Sequence, residues 1–393
     1  MPDQFLHGIE TKEIDDGIRS IRTVTSSIIG LVGTAPEADA EMFPLDTPVL
    51  LTGPRMAAEL GAEGTLADAY SAVYSQGVNI TIVVRVEEAV DTTATLANVI
   101  GDPALQTGIW ALMLAGSLTG QTPRILAAPG FTGVGEPEAA NPAISALIAV
   151  AERLRGIVVA DGPNTTEADA VAMRGNHGSD RLFIVDPAVR VFDTTTQALV
   201  TRPASGYVAA LISKRDREKG FWWSPSNQIV NGIGGTARPV SFQINSPDTE
   251  ANRLNEAEVA TIVRKDGFRL WGNRSTATDP LWAFLNVRRT ADMIYESIEQ
   301  AHLWAMDRPF SEQLLRDIRD SVQAYINTLI ARGALLGGRV WLDPELNTEA
   351  TLKAGKLYMN FDIEPPAPLE RLTFMAYRNG EYYEELVNAV AAA

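Results

Sequence analysis

The sequence predicts an α/β protein, with a layered outer domain on a mostly parallel sheet. An α+β inner domain with long helices follows, and strand-like arms stand at both ends. Three observations carry this reading. Short apolar runs alternate with helical patterns from about residue 23 to about residue 245. Beyond residue 246 two long helical periodicities replace the alternation. Each end of the chain has a strand-like segment set off by a joint: His7 to Ile14 before Asp15-Asp16-Gly17, and Arg371 to Arg378 after Pro365-Pro366-Ala367-Pro368. The expected divisions are a linking arm at 1–22, an outer body at 23–245, an inner domain at 246–365 and a second arm at 366–393.

In the first half, nearly continuous apolar runs occur at Ser26–Gly33, Ile80–Val86, Arg124–Pro129, Gly156–Ala160 and Arg181–Val185. Strands covered by helices on both faces are apolar throughout rather than alternating, because neither face meets water. Helical patterns at Leu66–Gln76, Ala104–Leu118, Ala139–Arg155 and Thr165–Arg174 supply the covering layers.

The second half opens with a helical segment at Glu250–Ala260 and two short strand-like pieces around Gly267. The first long helix has Val287, Ala291, Ile294, Ile298, Ala301 and Ala305 at helical spacing, with Asp279-Pro280 as its start signal. The second begins at Ser311, an N-cap, with Phe310 and Leu315 placed for a hydrophobic staple. It continues through Ile318, Val322, Ile326 and Leu329 to Gly333. A strand at Arg339–Asp343 and a short helix near Thr348–Lys353 come next.

Leu357, Met359, Phe361 and Ile363 then alternate with Tyr358, Asn360, Asp362 and Glu364, the mark of a half-buried strand. Leu372, Phe374 and Ala376 alternate more loosely with Thr373, Met375 and Tyr377. The prolines between these runs favour an extended path over a tight hairpin turn. Two readings stay open: the last strand joins a neighbouring chain's sheet, or it returns to its own through a wide loop.

Composition narrows the function. The chain has 393 residues, 46% of them hydrophobic, which is enough for two or three domains with real cores. Cysteine is absent, which excludes disulfides, thiolate metal sites and cysteine nucleophiles. A formal net charge of -16 argues against coating nucleic acid. The opening MPDQFLHGIETKEIDDG is polar and acidic, unlike a secretory signal. The most apolar stretch, AISALIAVAERLRGIVVAD, is broken by Glu152, Arg153 and Arg155, so it reads as a buried helix and strand rather than a membrane span. A soluble protein made in the cytoplasm is expected.

Catalytic motifs fail in turn. Gly355-Lys356 has Ala350 where a phosphate-binding loop needs glycine, and Leu357 in place of Ser or Thr. The Gly-rich run Asn231 to Thr236 leads into an extended segment instead of a helix. His7, His177 and His302 are scattered, although His177 sits in a loop suited to a catalytic base. Trp222-Trp223 reads as core or interface packing, or as a stacking platform. Arg288-Arg289 and Arg316 with Arg319 read either as a solvated face or as a local basic stripe for an acidic partner. An α/β enzyme with an unrecognised site stays as the alternative, as does another self-assembling shell subunit.

Taken in order, several segments resemble contractile tail sheath proteins of bacteriophages. They are a strand-like arm, Gly17 and Arg19, and Gly30-Leu31-Val32-Gly33-Thr34-Ala35-Pro36 at the end of the first core strand. Pro48 to Gly53, Gly267 to Ser275, Val287-Arg288-Arg289 and Pro368-Leu369-Glu370 continue the likeness across nearly the whole chain. R-type pyocins and extracellular contractile injection systems are similar too. The resemblance implies a structural role, with no catalytic residue, cofactor or metal. It implies hexameric rings of this chain stacked as a helical sheath around an inner tail tube protein. Baseplate and tail terminator proteins would be the further partners, without direct nucleic acid contact or membrane insertion. It places the protein in a virion tail or injection particle assembled in the host bacterial cytoplasm. By the same resemblance Ile9, Thr11, Ile14, Leu372, Phe374 and Ala376 belong to the linking strands. Leu357, Met359, Phe361 and Ile363 belong to the receiving sheet, and Arg288, Arg289, Arg316 and Arg319 are candidates for holding the tube.

Overall fold

The computed structural model describes residues 20–392. Strands β1 (Ile29–Thr34), β2 (Pro48–Leu51), β3 (Thr81–Val86), β4 (Ile125–Ala127), β5 (Ile157–Asp161) and β6 (Leu182–Val185) lie in one large sheet. Strands β7 (Val189–Asp193), β8 (Ala198–Arg202) and β9 (Gly235–Thr236) make a small antiparallel sheet of their own. Strands β10 (Val259–Arg264) and β11 (Phe268–Trp271) rejoin the large sheet, whose order is β11-β10-β6-β5-β4-β1-β3-β2. From β10 to β3 every neighbouring pair is parallel, and β11 and β2 close the two edges antiparallel. Strands β12 (Gly337–Leu342) and β13 (Met359–Glu364) form a separate antiparallel pair.

The apolar runs become strands because helices cover both faces of the sheet. The helices of the body are α1 (Pro54–Ala58), α2 (Leu66–Ser75), α3 (Thr92–Ile100), α4 (Ala115–Thr119), α5 (Pro142–Leu154), α6 (Glu167–Gly175), α7 (Ser205–Glu218) and α8 (Glu250–Glu256). On one face Leu66, Tyr70 and Val73 of α2 and Val208, Leu211 and Ile212 of α7 pack on Ile29, Leu31, Val83 and Phe183. On the other, Val99 of α3 and Ile144, Leu147 and Val150 of α5 pack on Val32, Val84, Leu126 and Ile184. Leu31 and Val32 thus serve opposite cores, as the two-residue period of a strand requires.

After the body come α9 (Leu285–Ala301), α10 (Glu312–Ala331), α11 (Glu349–Lys353) and α12 (Glu381–Ala391). Ser311 caps α10, its hydroxyl accepting from the Leu314 amide. Asp279-Pro280 opens a short 3-10 turn instead of α9, which starts at Leu285.

Three expectations need correction. The break expected at residue 246 falls inside the body's architecture: β10 pairs parallel with β6, so the sheet runs on to Trp271. The α8 helix stops at Glu256, and residues expected to prolong it enter β10, where Val259 and Ala260 are buried. The span 104–118 is mostly 3-10 helix (Gly108–Leu114) followed by the short α4. Arg371 to Arg378, expected to link to a neighbouring chain, pairs with nothing among the described residues.

Candidate functional site

The site is built on α9 and α10. Their apolar stripes meet in a core of Met293, Ile294, Val322, Tyr325, Ile326 and Leu329, joined by Phe221 and Trp222. Trp222 is therefore packing, set edge-on to Phe221 with ring centres 5.1 Å apart. Val340 of β12 and Phe361 and Ile363 of β13 lay the inner face of the hairpin against this core. Phe361 meets the Tyr295 ring of α9 edge-on at 5.8 Å. The outer face carries Arg339, which donates to Asp362 at 2.9 Å and lies over the Trp341 ring. Gly338 has to be glycine: a Cβ there would lie 2.7 Å from the Asp362 carbonyl and 2.9 Å from Ile326 of α10.

The two outer edges of the hairpin differ. In an antiparallel pair, alternate residues turn their main-chain groups toward the partner strand and away from it. Val340 N–H and Gly338 C=O point away from β13, and the Gln323 side chain of α10 meets them. Its Oε1 accepts from Val340 at 2.9 Å and its Nε2 donates to Gly338 at 3.4 Å. The register pairs Val340 with Phe361 and Gly338 with Ile363. The main-chain groups of Phe361 and Ile363 therefore also point outward, on the opposite edge, together with those of Met359. No hydrogen bond meets that edge among the described residues. Leu357 lies just before β13 and is half-buried.

The roots of both arms are fixed to this platform. Val24 N–H donates to Ser297 of α9 at 3.1 Å, and Thr23 hydrogen-bonds the Tyr325 hydroxyl of α10 at 3.0 Å. At the other end Asn286 of α9 donates to the Pro366 carbonyl at 3.2 Å. Arg274 grips Glu370 through two bonds of 2.8 and 2.6 Å. Beyond Glu370 the chain is extended and bare, with Leu372 62%, Phe374 84% and Tyr377 84% exposed. It ends in α12, which the sequence reading missed, although Tyr383, Leu386, Val387 and Val390 mark one helical face. Ala376 is exposed like its neighbours, while Ile9, Thr11 and Ile14 lie outside the described residues.

The arginine candidates separate. Arg288 and Arg289 are not on the surface: they are 9% and 4% exposed. Arg289 grips Asp216 of α7 and the Ser26 carbonyl, and Ser26 in turn donates to Asp216 at 2.7 Å. Arg288 bonds Asp292 at 2.9 Å and lies over the Trp282 ring at 4.3 Å. The same side of α9 receives Arg181 at Asp292, Arg124 at Glu296 and Arg155 at Glu299. These pairs key α9 to the base of the body, so Arg288 and Arg289 are internal ties rather than a docking stripe. Burial pushes the Glu296 carboxyl up, against the pull of Arg124. Arg316 and Arg319 are exposed but paired locally, with Glu312 one turn away and with Asp320. With Asp317 alongside, that face of α10 is of mixed sign.

The body offers no comparable chemistry. A depression of about 250 Å³ lies at the C-terminal ends of β1 and β4, where open α/β sheets hold ligands. Its Asp68 is paired with Arg202 at 3.0 Å. Nearby Asp161 is buried and already accepts from the Ser205 amide at 2.8 Å and hydroxyl at 2.6 Å. His177 is buried, which holds its imidazole below the usual 6.5. His302 bridges the Ile298 carbonyl and Ser321, tying α9 to α10. Among the described residues no group of three or more His, Asp or Glu could hold a metal ion, and no helix is long and apolar enough to cross a membrane.

Residues 98–276 match the family model described as the phage tail sheath protein central domain, and residues 277–378 match the phage tail sheath C-terminal domain. The chain is 38% identical to a protein described as a prophage major tail sheath protein in Pseudomonas aeruginosa (strain UCBPP-PA14), covering 98% of this chain and 99% of that one. It is 37% identical to the tail sheath protein of Escherichia phage P2, covering 98% of both. Among solved structures, the contracted helical sheath of the anti-feeding prophage superposes with TM-score 0.69 at 18% identity, over 96% of this chain and 100% of the other. The contracted sheath complex of an extracellular contractile injection system gives 0.69 at 15% identity, over 97% and 100%. At those identities the likeness is one of fold.

Proposed function

The chain belongs to the phage tail sheath family, and from that premise we propose that it is a structural subunit of a contractile tail sheath whose arms link it to its neighbours. The family is structural, not enzymatic, and the subunit's role is to assemble with copies of itself into a helical tail component. The finer reading is that six subunits make each ring, and that the rings stack around an inner tube between a baseplate and a tail terminator. Assembly would take place in the host bacterial cytoplasm, and contraction would drive the tube through a target envelope.

One observation supports the linkage most directly. The platform has a strand edge with outward main-chain groups, and the exposed segment 371–378 has no pairing partner among the described residues. Strand addition satisfies both at once, because main-chain bonds supply affinity and alternate side chains supply register. Leu372, Phe374 and Ala376 of one copy would share the inner face with Met359, Phe361 and Ile363 of another. Ile9, Thr11 and Ile14 are proposed for the corresponding link at the front end. Return of the last segment to its own sheet is disfavoured, since Asn286 and Arg274 hold the joint along its length. Division into a body and an inner domain is retained, with the seam moved beyond β11. Among the four arginines, Arg316 and Arg319 alone stay as proposed tube contacts.

Negative-stain electron microscopy of the purified full-length chain tests this, beside the chain lacking residues 1–22 and everything after Pro368. Hollow tubes from the first and folded single particles from the second are expected. Normal tubes from the truncated chain would sink strand linkage.

A further inference from the structure

We propose that the depression at the C-terminal ends of β1 and β4 binds a single hexose, held through neighbouring hydroxyls by Asp68, Arg202 and Tyr207. The linkage of subunits makes no use of this part of the body. The site therefore adds a carbohydrate contact to a structural subunit, and it stands whether or not the arms link neighbours.

The sheet supplies the place. The chain leaves β1 for β2 and β3 on one side and leaves β4 for β5 on the other, so the crevice between β1 and β4 is the switch point of the sheet. The depression of about 250 Å³ opens there, between α2 and α7. Small residues make its floor, because the helices approach closely: a Cβ on Gly206 would lie 3.3 Å from the Cβ of Ala72. Pro129 and Pro203 add apolar walls. Sites for drug-sized ligands begin at about 300 Å³, so this one suits a smaller molecule, of the size of one sugar ring.

The side chains decide the class of ligand. Crevices of this kind commonly hold a phosphate on a helix N-terminus. Here each N-terminus already has a carboxylate. Asp68 stands in the first turn of α2, and Asp161 accepts from the Ser205 amide at 2.8 Å where α7 begins. An anion is therefore refused. Asp68 also pairs with Arg202 at 3.0 Å, so the lining has no net charge, and a zwitterion would have to break that pair to bind. Neighbouring hydroxyls need not break it. One donates to the carboxylate while the next accepts from the guanidinium, since a hydroxyl does both and the two charged groups do one each. Tyr207 completes the set. It is 4% exposed, lines the depression, and its hydroxyl has no hydrogen-bond partner among the described residues. Burial pushes its pKa up to about 12, with Asp68 and Arg202 near enough to act on it, so the hydroxyl stays protonated. Buried polar groups without a partner are rare, and a third sugar hydroxyl supplies the missing one. The C–H face of the ring then rests on the small apolar floor.

Saturation-transfer NMR on the purified full-length chain tests the site, with the methyl glycosides of glucose, galactose and mannose as probes. At least one should receive saturation, with a Kd of about 1 mM, and neither inorganic phosphate nor glycine should displace it. Tyr207→Phe keeps the ring and removes the hydroxyl. It should weaken binding about threefold to tenfold, the factor for one net hydrogen bond, with an unchanged thermal midpoint. Arg202→Gln, at a partly exposed position, should weaken it roughly tenfold or more, because that bond is to a charged group. Tyr74→Phe, at a half-exposed tyrosine outside the depression, should change nothing. A trisaccharide ending in the bound sugar separates the two sources: equal binding identifies the end of a glycan, and loss of binding identifies a free hexose. Silence from all three glycosides, displacement by phosphate or glycine, or unchanged binding in Tyr207→Phe or Arg202→Gln would overturn the assignment.

Discussion

The α/β body and the α9–α10 platform treat their polar groups in opposite ways. The body covers one edge of its large sheet with its own chain. Its sheet ends at β11, where Asn227, Gln228 and Val230 exchange main-chain bonds with Leu270 and Phe268 and cover the outer edge. Its Asp216 and Arg181 are paired across to α9, with Arg289 and Asp292. Among the described residues the platform leaves one strand edge without hydrogen-bond partners and sends an apolar-faced segment away from itself. Self-sufficiency in one region and incompleteness in the other separate the part that must fold alone from the part that must wait for a neighbour.

Breaking the self-sufficient region should show first in stability. Arg289→Met leaves Asp216 buried and uncompensated, and the cost of orphaning one member of such a pair is about 3–5 kcal/mol. Urea unfolding of the unassembled chain should register it; an unchanged midpoint would mean that the α9–body ties are dispensable. The platform should respond in the reverse sense. Arg274 and Glu370 are partly exposed, so Glu370→Ala should cost the unassembled chain less than about 1 kcal/mol. It should nevertheless raise the protein concentration needed for assembly, because the arm loses its fixed point of departure. A large loss of stability with unchanged assembly would erase the distinction between the regions.

The smallest expected effect is in pH dependence. Burial holds folded His177 below 6.5, so the unfolded chain takes up the proton first as the pH falls. Its contribution is complete above 6.5 and is lost as the pH drops through the lowered value. His177→Gln should flatten that part of the stability curve, measured by urea unfolding at a series of pH values. An unaltered slope would assign the acid sensitivity of the body to other groups.

The body was legible in the sequence where burial on both faces wrote itself as apolar runs. Ile80 to Val86 became β3 and Arg181 to Val185 became β6, shifted by a residue at one end. The small sheet of β7 to β9 was missed: Val189, Arg190 and Val191 begin an alternation that the exposed Phe192 breaks before the turn at Thr194 to Gln197. The basic pair on α9 misled because charge on a helix ordinarily means solvent. Its partners Asp180 and Asp216 stand far away in sequence, and only the tertiary fold brings them to Arg288 and Arg289. Alternation in Arg371 to Arg378 describes a strand's two faces and says nothing about which chain would supply the other strand. Nothing local in the sequence distinguishes the guarded edge from the open one, since Gln323 meets Val340 only after α10 docks.

The placement of the two arm roots has a mechanical consequence. Ser297 holds the front root and Asn286 the rear one, about three turns apart on α9, or roughly 16 Å at 1.5 Å rise per residue. If neighbours pull on both ends, tension enters at one anchor, travels along a single rigid bar and leaves at the other. Part of the load then runs along α9, beside the covalent path that leads from the front root into β1. The ion pairs between α9 and the body hold these two paths in register.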